Sequence, residues 1–193
     1  DGISVYDARI RAGKALARTY PVDADLVTGV PDSGITAAIG YSEASGIPFN
    51  LVFQKNNYIG RTFIAPGQSH REDLVRIKLN VITEVVKDKR VILVDDSIVR
   101  GTQLKETVEF LYDNGAKSVH AFVSHFPLTE KGVERLMKEV QLDELVVTDS
   151  IPLRAGFDPA KLPFKLTQLS VAPLIGEAIR RTHLNESIND LFN

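Results

Sequence analysis

The residues best suited to chemistry lie in the stretch VILVDDSIVRGT, residues 91–102. An apolar run ends there in two adjacent carboxylates, Asp95 and Asp96, and hydroxyls at Ser97 and Thr102 precede a predicted helix. Loop amides and a helix N-terminus together form a cradle for a phosphate dianion. The carboxylates repel such an anion but suit sugar hydroxyls or a hydrated Mg²⁺. The stretch therefore predicts a sugar phosphate ligand, although a solvated Asp-Asp turn before a capped helix is the simpler alternative for the acid pair alone.

A second possible anion site is the turn Pro31-Asp32-Ser33-Gly34, which lies between a predicted strand and a predicted helix. Its amides can hold a pyrophosphate group, and Gly34 permits a close backbone approach. Alone, this motif indicates an ordinary turn in which Asp32 or Ser33 caps the helix. Beside the first cradle, it predicts a second anion site.

Cations and a phenol surround a long segment without regular periodicity. Lys55, Tyr58, Arg61 and Lys78 belong to it or flank it. Structureless segments of this length in compact domains are usually functional or mobile. We therefore expect a mobile loop over about 54–72 that closes over the two anion sites as a lid.

These motifs are spaced along a pattern in which short apolar strands alternate with helices. Such a pattern predicts an α/β fold with a doubly wound, mainly parallel sheet, in one domain over 1–193. Ligands bind beyond the carboxyl ends of parallel strands, so Asp32 and Asp95 are expected at the same edge. The predicted strands cover 25–30, 49–53, 90–94, 119–124, 144–148 and 166–171. The predicted helices cover 4–18, 35–45, part of 74–86, 102–112, 129–139, 173–182 and 186–192.

The composition excludes several classes of protein. The chain has 193 residues, a net charge of −2 and no cysteine. Disulfides, thiolate zinc sites, Fe–S clusters and cysteine nucleophiles are therefore excluded. No basic tract indicates nucleic acid or a membrane surface, and no apolar run approaches the ~20 residues of a membrane span. We expect a cytoplasmic location, and we expect that the start DGIS is a cut inside a longer protein rather than a signal peptide.

The four histidines do not form a metal site in the sequence pattern, because no two have the i, i+4 spacing of zinc ligands on a helix. Most are expected at ordinary polar positions. His125, at the end of a predicted strand, is the best candidate among them for a place in the site.

Residues 91–102 resemble the phosphoribosyl diphosphate (PRPP) signature of type I phosphoribosyltransferases, in the version found in amidophosphoribosyltransferases. Other stretches agree with that family in the same order. VPDSG at 30–34 resembles its pyrophosphate loop, QKNNYIGRTF at 54–63 its flexible catalytic loop, and VRIKLN at 75–80 its basic segment. The resemblance covers about 5–103.

This resemblance implies a reaction in which pyrophosphate is displaced from C1 of PRPP with Mg²⁺. Ammonia is the first choice of acceptor, and water or a free base stay open. The implied partners are PRPP or a nucleoside monophosphate, an ammonia donor, and further copies of the chain in a homo-oligomer. The implied ribose and magnesium ligands are Asp95 and Asp96. The implied 5-phosphate residues are Ser97, Ile98, Val99, Arg100, Gly101 and Thr102. The implied pyrophosphate residues are Asp32, Ser33 and Gly34, and the implied catalytic residues are Lys55, Tyr58, Arg61 and Lys78.

The C-terminal part, about 116–192, resembles the C-terminal half of ribose-phosphate pyrophosphokinase instead. The stretches AKSVHAFVSH, DELVVTDSIP and LSVAPLIGEAIRR carry this second resemblance. Together the two resemblances suggest a mosaic, natural or engineered. They also imply that the glutaminase half of the first family, with its cysteine nucleophile, and the ATP-binding half of the second do not belong to this sequence.

Other functions are also compatible with the sequence. A signalling receiver domain also places an acid pair after an apolar strand, but near its N-terminus and with a lysine on a later strand end, which this sequence lacks after Thr148. A PRPP- or nucleotide-binding module without turnover, a fragment related to ribose-phosphate pyrophosphokinase, and an engineered scaffold without activity are the further alternatives.

Overall fold

The computed structural model describes residues 4–55, 79–188 and 191. Its centre is a five-stranded sheet in the order β1-β4-β5-β6-β7, in which all neighbours are parallel. A separate antiparallel pair joins β2 to β3. The strands are β1 (Leu26–Gly29), β2 (Phe53–Lys55), β3 (Leu79–Val81), β4 (Arg90–Ser97), β5 (Ser118–His125), β6 (Glu144–Thr148) and β7 (Lys165–Leu169).

Helices precede, connect and follow the parallel strands. They are α1 (Val5–Thr19), α2 (Gly34–Ser45), α3 (Thr83–Val86), α4 (Thr102–Asp113), α5 (Glu130–Lys138) and α6 (Ala172–His183), with a short 3₁₀ helix at Pro159–Lys161. Among the described residues, no helix is long and apolar enough to cross a membrane.

Helices cover both faces of the sheet, and the alternating side chains of β4 show this. Val91 and Leu93 pack into one core with residues of α4 and α5, whereas Ile92 and Val94 pack into a second core with residues of α1 and α2. Successive strand residues point to opposite faces, so both sets are apolar because both faces carry helices. The prediction of a doubly wound α/β fold is confirmed.

Three local predictions need correction. Asp95 and Asp96 lie inside β4 rather than in a loop behind it, because the strand continues until Ser97 pairs with His125 of β5. In the predicted strand 49–53, Phe49 forms only an isolated bridge, and the regular strand begins at Phe53.

The predicted helix 186–192 is wrong for residues 186–188, which have no helical structure. Asn185 has a φ of 54°, and a left-handed residue at this position ends a helix. Residues 56–72 of the predicted mobile loop lie outside the described residues.

Candidate functional site

The turn 31–34 and the acid pair meet at the carboxyl edge of the sheet. The amide of Val30 donates to the carbonyl oxygen of Val94 at 2.8 Å, which ties the end of β1 to β4. At Gly34 a Cβ atom would lie 2.1 Å from that same carbonyl oxygen, so only glycine lets α2 begin so close to Asp95. The structure thus brings Asp32, Ser33 and Gly34 beside the acid pair. The peptide bond between Pro31 and Asp32 is cis.

Asp95 carries a buried carboxyl group at this edge. The residue is 8% exposed. Burial raises its pKa to about 6, against the opposing hydrogen bond from the Asp96 amide, and the nearby Asp96 charge raises it further. The Ser33 hydroxyl also bonds to Asp95, and it makes no capping hydrogen bond to α2.

Asp96, unlike Asp95, is exposed to solvent. Its Oδ1 accepts a hydrogen bond from the Ser97 hydroxyl at 3.0 Å, and its amide donates to Asp95 Oδ1 at 2.8 Å. One carboxylate of the pair is therefore buried and held, while its neighbour is open to solvent. This division suits a ligand that presents hydroxyls to one and a hydrated cation to the other.

The predicted 5-phosphate loop runs from Ser97 to the start of α4 and is braced by α5. Arg135 Nη1 donates to the carbonyl oxygen of Arg100 at 2.6 Å and to the hydroxyl of Thr102 at 2.8 Å. The amide and hydroxyl of Thr129 donate to the carbonyl oxygen of Val99 at 3.0 and 3.2 Å. These contacts hold the loop against the N-terminus of α4. A helix N-terminus of this kind can bind an anion.

Two residues of this loop have conformational roles. Gly101 has a φ of 69° at the N-cap of α4, where other residues would be strained. Ile98 is 3% exposed, and its amide donates to the carbonyl oxygen of His125 at 3.0 Å. Ile98 therefore anchors the loop in the core, and its amide is already used, so it does not offer phosphate the donor that the sequence predicted.

Residues after the later strands complete the edge. His125 Nδ1 lies 2.9 Å from Ser150 Oγ, and Thr148 Oγ1 lies 2.8 Å from the same atom. His125 is thus part of a hydrogen-bonded group at the carboxyl ends of β5 and β6. A cavity of about 460 Å³ extends from this group and Asp95 towards α1.

Sequence reasoning missed Thr129, Arg135, Thr148 and Ser150. Arg135 lies 33 residues from Thr102 along the chain, and no local pattern indicates that contact. The sequence did contain a signal for Ser150, since it lies two residues after the end of β6, and ligands bind beyond such strand ends in parallel sheets.

The four predicted catalytic residues cannot be placed against this edge. Lys55 is the last residue of β2, and its side chain is not among those described. Tyr58, Arg61 and Lys78 lie outside the described residues.

The acid pair fits a magnesium ion only as a partial ligand set. Within 4–55, 79–188 and 191, no three His, Cys, Asp or Glu side chains gather as a metal cage. Mg²⁺ usually keeps several waters and is bound by one or two carboxylates together with substrate phosphates. Asp95 and Asp96 fit that mode.

Comparison with known proteins assigns the family. The model of the phosphoribosyl synthetase-associated domain matches residues 62–193. The chain belongs to this family. A phosphoribosyl synthetase-associated domain is thus present over most of the sequence, and it includes β4, the loop 97–102 and the polar group around His125.

This chain is also similar to individual proteins that carry such a domain or its fold. The chain is 47% identical to amidophosphoribosyltransferase of Archaeoglobus fulgidus, over 94% of this chain and 39% of that protein. It is similar to the glutamine PRPP amidotransferase from Bacillus subtilis, whose structure holds ADP and GMP, with a TM-score of 0.63, 45% identity and coverage of 76% of this chain and 36% of that one. It is also similar to phosphoribosylpyrophosphate synthetase from Mycobacterium smegmatis, with a TM-score of 0.63, 26% identity and coverage of 92% and 51%.

These matches confirm the resemblance to both families, and they extend it. The likeness to the Archaeoglobus fulgidus protein and the likeness to the synthetase each cover more than nine tenths of this chain, so they overlap along most of it. The interpretation as a mosaic stays a hypothesis. The chain spans about two fifths or less of the length of the amidophosphoribosyltransferases it matches, and half of the synthetase.

Proposed function

We propose that the chain binds PRPP with Mg²⁺ and transfers its phosphoribosyl group to a nitrogen nucleophile, with ammonia as the first acceptor. One observation carries this proposal: two helix N-termini suited to anions, those of α2 and α4, flank the Asp95–Asp96 pair at one edge of the sheet. A ligand with a phosphate at one end, a diphosphate at the other and a diol between them matches this arrangement. The names of the amidophosphoribosyltransferase relatives support the same assignment.

In the proposed complex, each part of the edge has a separate task. The loop 97–102 holds the 5-phosphate, Asp95 and Asp96 bind the ribose hydroxyls, and the turn 32–34 holds the leaving pyrophosphate. When bound, Mg²⁺ neutralises charge on that diphosphate. The protein thus positions the sugar and stabilises the leaving group rather than forming a covalent bond to it. We assign Lys55, Tyr58, Arg61 and Lys78 to the same diphosphate from the sequence resemblance alone.

The test is a measurement of pyrophosphate release from PRPP with Mg²⁺, with ammonium chloride, water alone and free bases as acceptors. We expect release that depends on ammonium. PRPP binding without release would favour the non-catalytic binding module. Formation of PRPP from ribose 5-phosphate and ATP would favour a pyrophosphokinase-related fragment, and neither binding nor release would leave the inactive scaffold.

We also propose that the chain forms a homo-oligomer. Helix α6 exposes three large apolar side chains to solvent, Leu174, Ile175 and Ile179, each more than half exposed. Burial of such a stripe against another copy removes apolar surface from water. Sedimentation of the intact chain at several concentrations tests this, and a monomer at all of them would contradict it.

A further inference from the structure

Helix α4 ends at an Asn-Gly pair whose backbone conformation is well defined. Asn114 is the C-cap residue, and Gly115 follows it with a φ of 89°. The amide of Gly115 donates to the carbonyl oxygen of Tyr112 at 2.9 Å, and the amide of Ala116 donates to that of Leu111 at 3.0 Å. These two bonds around a left-handed glycine form a Schellman motif. The end of the helix therefore favours glycine at position 115.

The same pair is able to react with itself. The backbone nitrogen of Gly115 forms a bond to Cγ of Asn114, the bond from Cγ to Nδ2 breaks, and ammonia leaves with the proton of that backbone nitrogen. Water then opens the five-membered imide on either side, which gives aspartate or isoaspartate. Glycine favours the ring closure because it has no Cβ atom to hinder its nitrogen. The sequence contains an Asn-Gly pair once, at this position.

In the folded chain, hydrogen bonds hold both reacting groups. Asn114 Nδ2 donates to the carbonyl oxygen of Phe110 at 2.8 Å, and Asn114 Oδ1 accepts from the hydroxyl of Thr83 at 2.5 Å. Thr83 is the first residue of α3, 31 residues earlier in the chain. The attacking nitrogen is held as well, since the Gly115 amide donates to Tyr112. Ring closure therefore requires that the helix end opens first.

We propose that Asn114 is a deamidation site protected by the fold, and that the hydroxyl of Thr83 controls its rate. This inference does not depend on the proposed function. The reaction proceeds from an open form of the helix end, so its rate follows the population of that form. Among the described hydrogen bonds, the bond from Thr83 is the one that ties the Asn114 side chain to another element. Loss of one such bond raises the open population roughly two- to tenfold.

Deamidation then weakens the end of α4. A carboxylate at position 114 has no N–H group to donate to the Phe110 carbonyl oxygen, and its negative charge lies at the negative end of the helix dipole. The Thr83 hydroxyl can still donate to it, so the loss falls on the bond within the helix. The turn also contacts the segment before β4, where the amide of Asp88 donates to the carbonyl oxygen of Gly115 at 2.8 Å. Modified chains are therefore expected to open more readily at this turn.

The first experiment follows deamidation of the intact chain at pH 8 by mass spectrometry of the tryptic peptide 106–117. This peptide, ETVEFLYDNGAK, contains one asparagine and no glutamine, so its change in mass reports Asn114 alone. We expect Thr83→Val, which removes the hydroxyl at similar size, to deamidate roughly two- to tenfold faster than the parent. Thr83→Ser keeps the hydroxyl and is expected to react at the parent rate.

The parent chain unfolded in urea is the reference without protection, and we expect it to deamidate faster than the folded parent and both folded variants. Equal rates in the folded and unfolded parent would overturn the protection by the fold. Equal rates in Thr83→Val and Thr83→Ser would overturn the role of the Thr83 hydroxyl.

A second experiment tests the consequence with Asn114→Asp, which carries the product side chain. We expect hydrogen exchange at the amides of Gly115 and Ala116 to be roughly two- to tenfold faster than in the parent, because the bond to Phe110 is lost. Asn185→Asp makes the same change at the exposed end of α6 and is expected to leave both amides unchanged. Unchanged exchange in Asn114→Asp would overturn the weakening of the helix end.

Discussion

Two buried carboxyl groups at opposite ends of the sheet have opposite pKa shifts. Glu144, at the start of β6, is 6% exposed, and Asp95, near the end of β4, is 8% exposed. Burial raises the pKa of Glu144, but hydrogen bonds from Lys165, Thr167 and Tyr20 outweigh it and lower the pKa to about 2. Burial of Asp95 is not outweighed in this way, and its pKa rises to about 6.

The two pKa shifts differ because the hydrogen-bond partners of the two carboxyl groups differ, while their burial is similar. One oxygen of Glu144 accepts from the Tyr20 hydroxyl at 2.6 Å, the Thr167 hydroxyl at 2.6 Å and Lys165 Nζ at 2.7 Å. Asp95 accepts from the Asp96 amide and from Ser33, neither of which carries a positive charge. The amino end of the sheet therefore satisfies its buried charge within the fold. The carboxyl end keeps a carboxyl group with a raised pKa, as is common at functional sites.

The largest effect on stability is expected from Gly34→Ala, which pushes the start of α2 away from β4. The new methyl group would lie 2.1 Å from the Val94 carbonyl oxygen, and a backbone atom cannot rotate away. We expect a loss of about 3 kcal/mol of unfolding free energy, measured by urea denaturation, together with loss of PRPP binding. Gly176→Ala in α6, where nothing lies within 4 Å, is the control and is expected to stabilise slightly. Equal stability of the two variants would contradict the close approach.

Glu144→Gln removes the charge from the amino-end cluster. We expect a loss of about 1–3 kcal/mol at pH 7, because Tyr20, Thr167 and Lys165 lose a charged acceptor. The folded pKa lies below the unfolded value of 4.5, so the contribution of the charge is complete above about pH 4.5 and disappears as the pH falls towards 2. Urea denaturation at pH 7 and pH 3 measures this. A loss that is larger at pH 3 than at pH 7 would contradict the sign.

Asp95→Asn is expected to have the opposite effect on stability. The folded pKa of about 6 exceeds the unfolded value of 3.8, so the charge destabilises the fold progressively from about pH 4 to 6 and fully above it. We expect the variant to be more stable by about 1–3 kcal/mol at pH 8, since one pKa unit corresponds to about 1.4 kcal/mol, and equal to the parent at pH 3. Thermal denaturation at both values tests the prediction, and a variant less stable at pH 8 would refute it.

The smallest effect is expected from Arg135→Gln, which loosens the phosphate loop without touching the acid pair. Loss of its bonds to the Arg100 carbonyl and the Thr102 hydroxyl is expected to weaken binding of ribose 5-phosphate roughly threefold to tenfold. Lys138→Gln, in the same helix and without a contact to that loop among the described hydrogen bonds, is the control. Unchanged affinity in Arg135→Gln would show that the brace does not position the loop.

The sequence predicted the architecture well where patterns are local. The apolar run 91–94 and the spacing of the other strands predicted the parallel sheet, and parallel strands bring their carboxyl ends together, so Asp32 and Asp95 were expected at one edge. The sequence did not predict that Asp95 is buried and Asp96 exposed, because the burial of one of two adjacent carboxylates depends on tertiary packing. Nor did it predict the brace from Arg135, since that contact depends on how α5 packs.

PRPP binding at the carboxyl edge is tested most directly by calorimetric titration of the intact chain and of Asp95→Asn with PRPP and Mg²⁺ at pH 8. We expect one binding event per parent chain. We expect the affinity to be weakened roughly tenfold or more in Asp95→Asn, because a hydrogen bond to a charged group is lost, although that variant unfolds at a higher temperature. Two results would contradict it: no heat with the parent chain at millimolar PRPP, or equal affinity in both proteins.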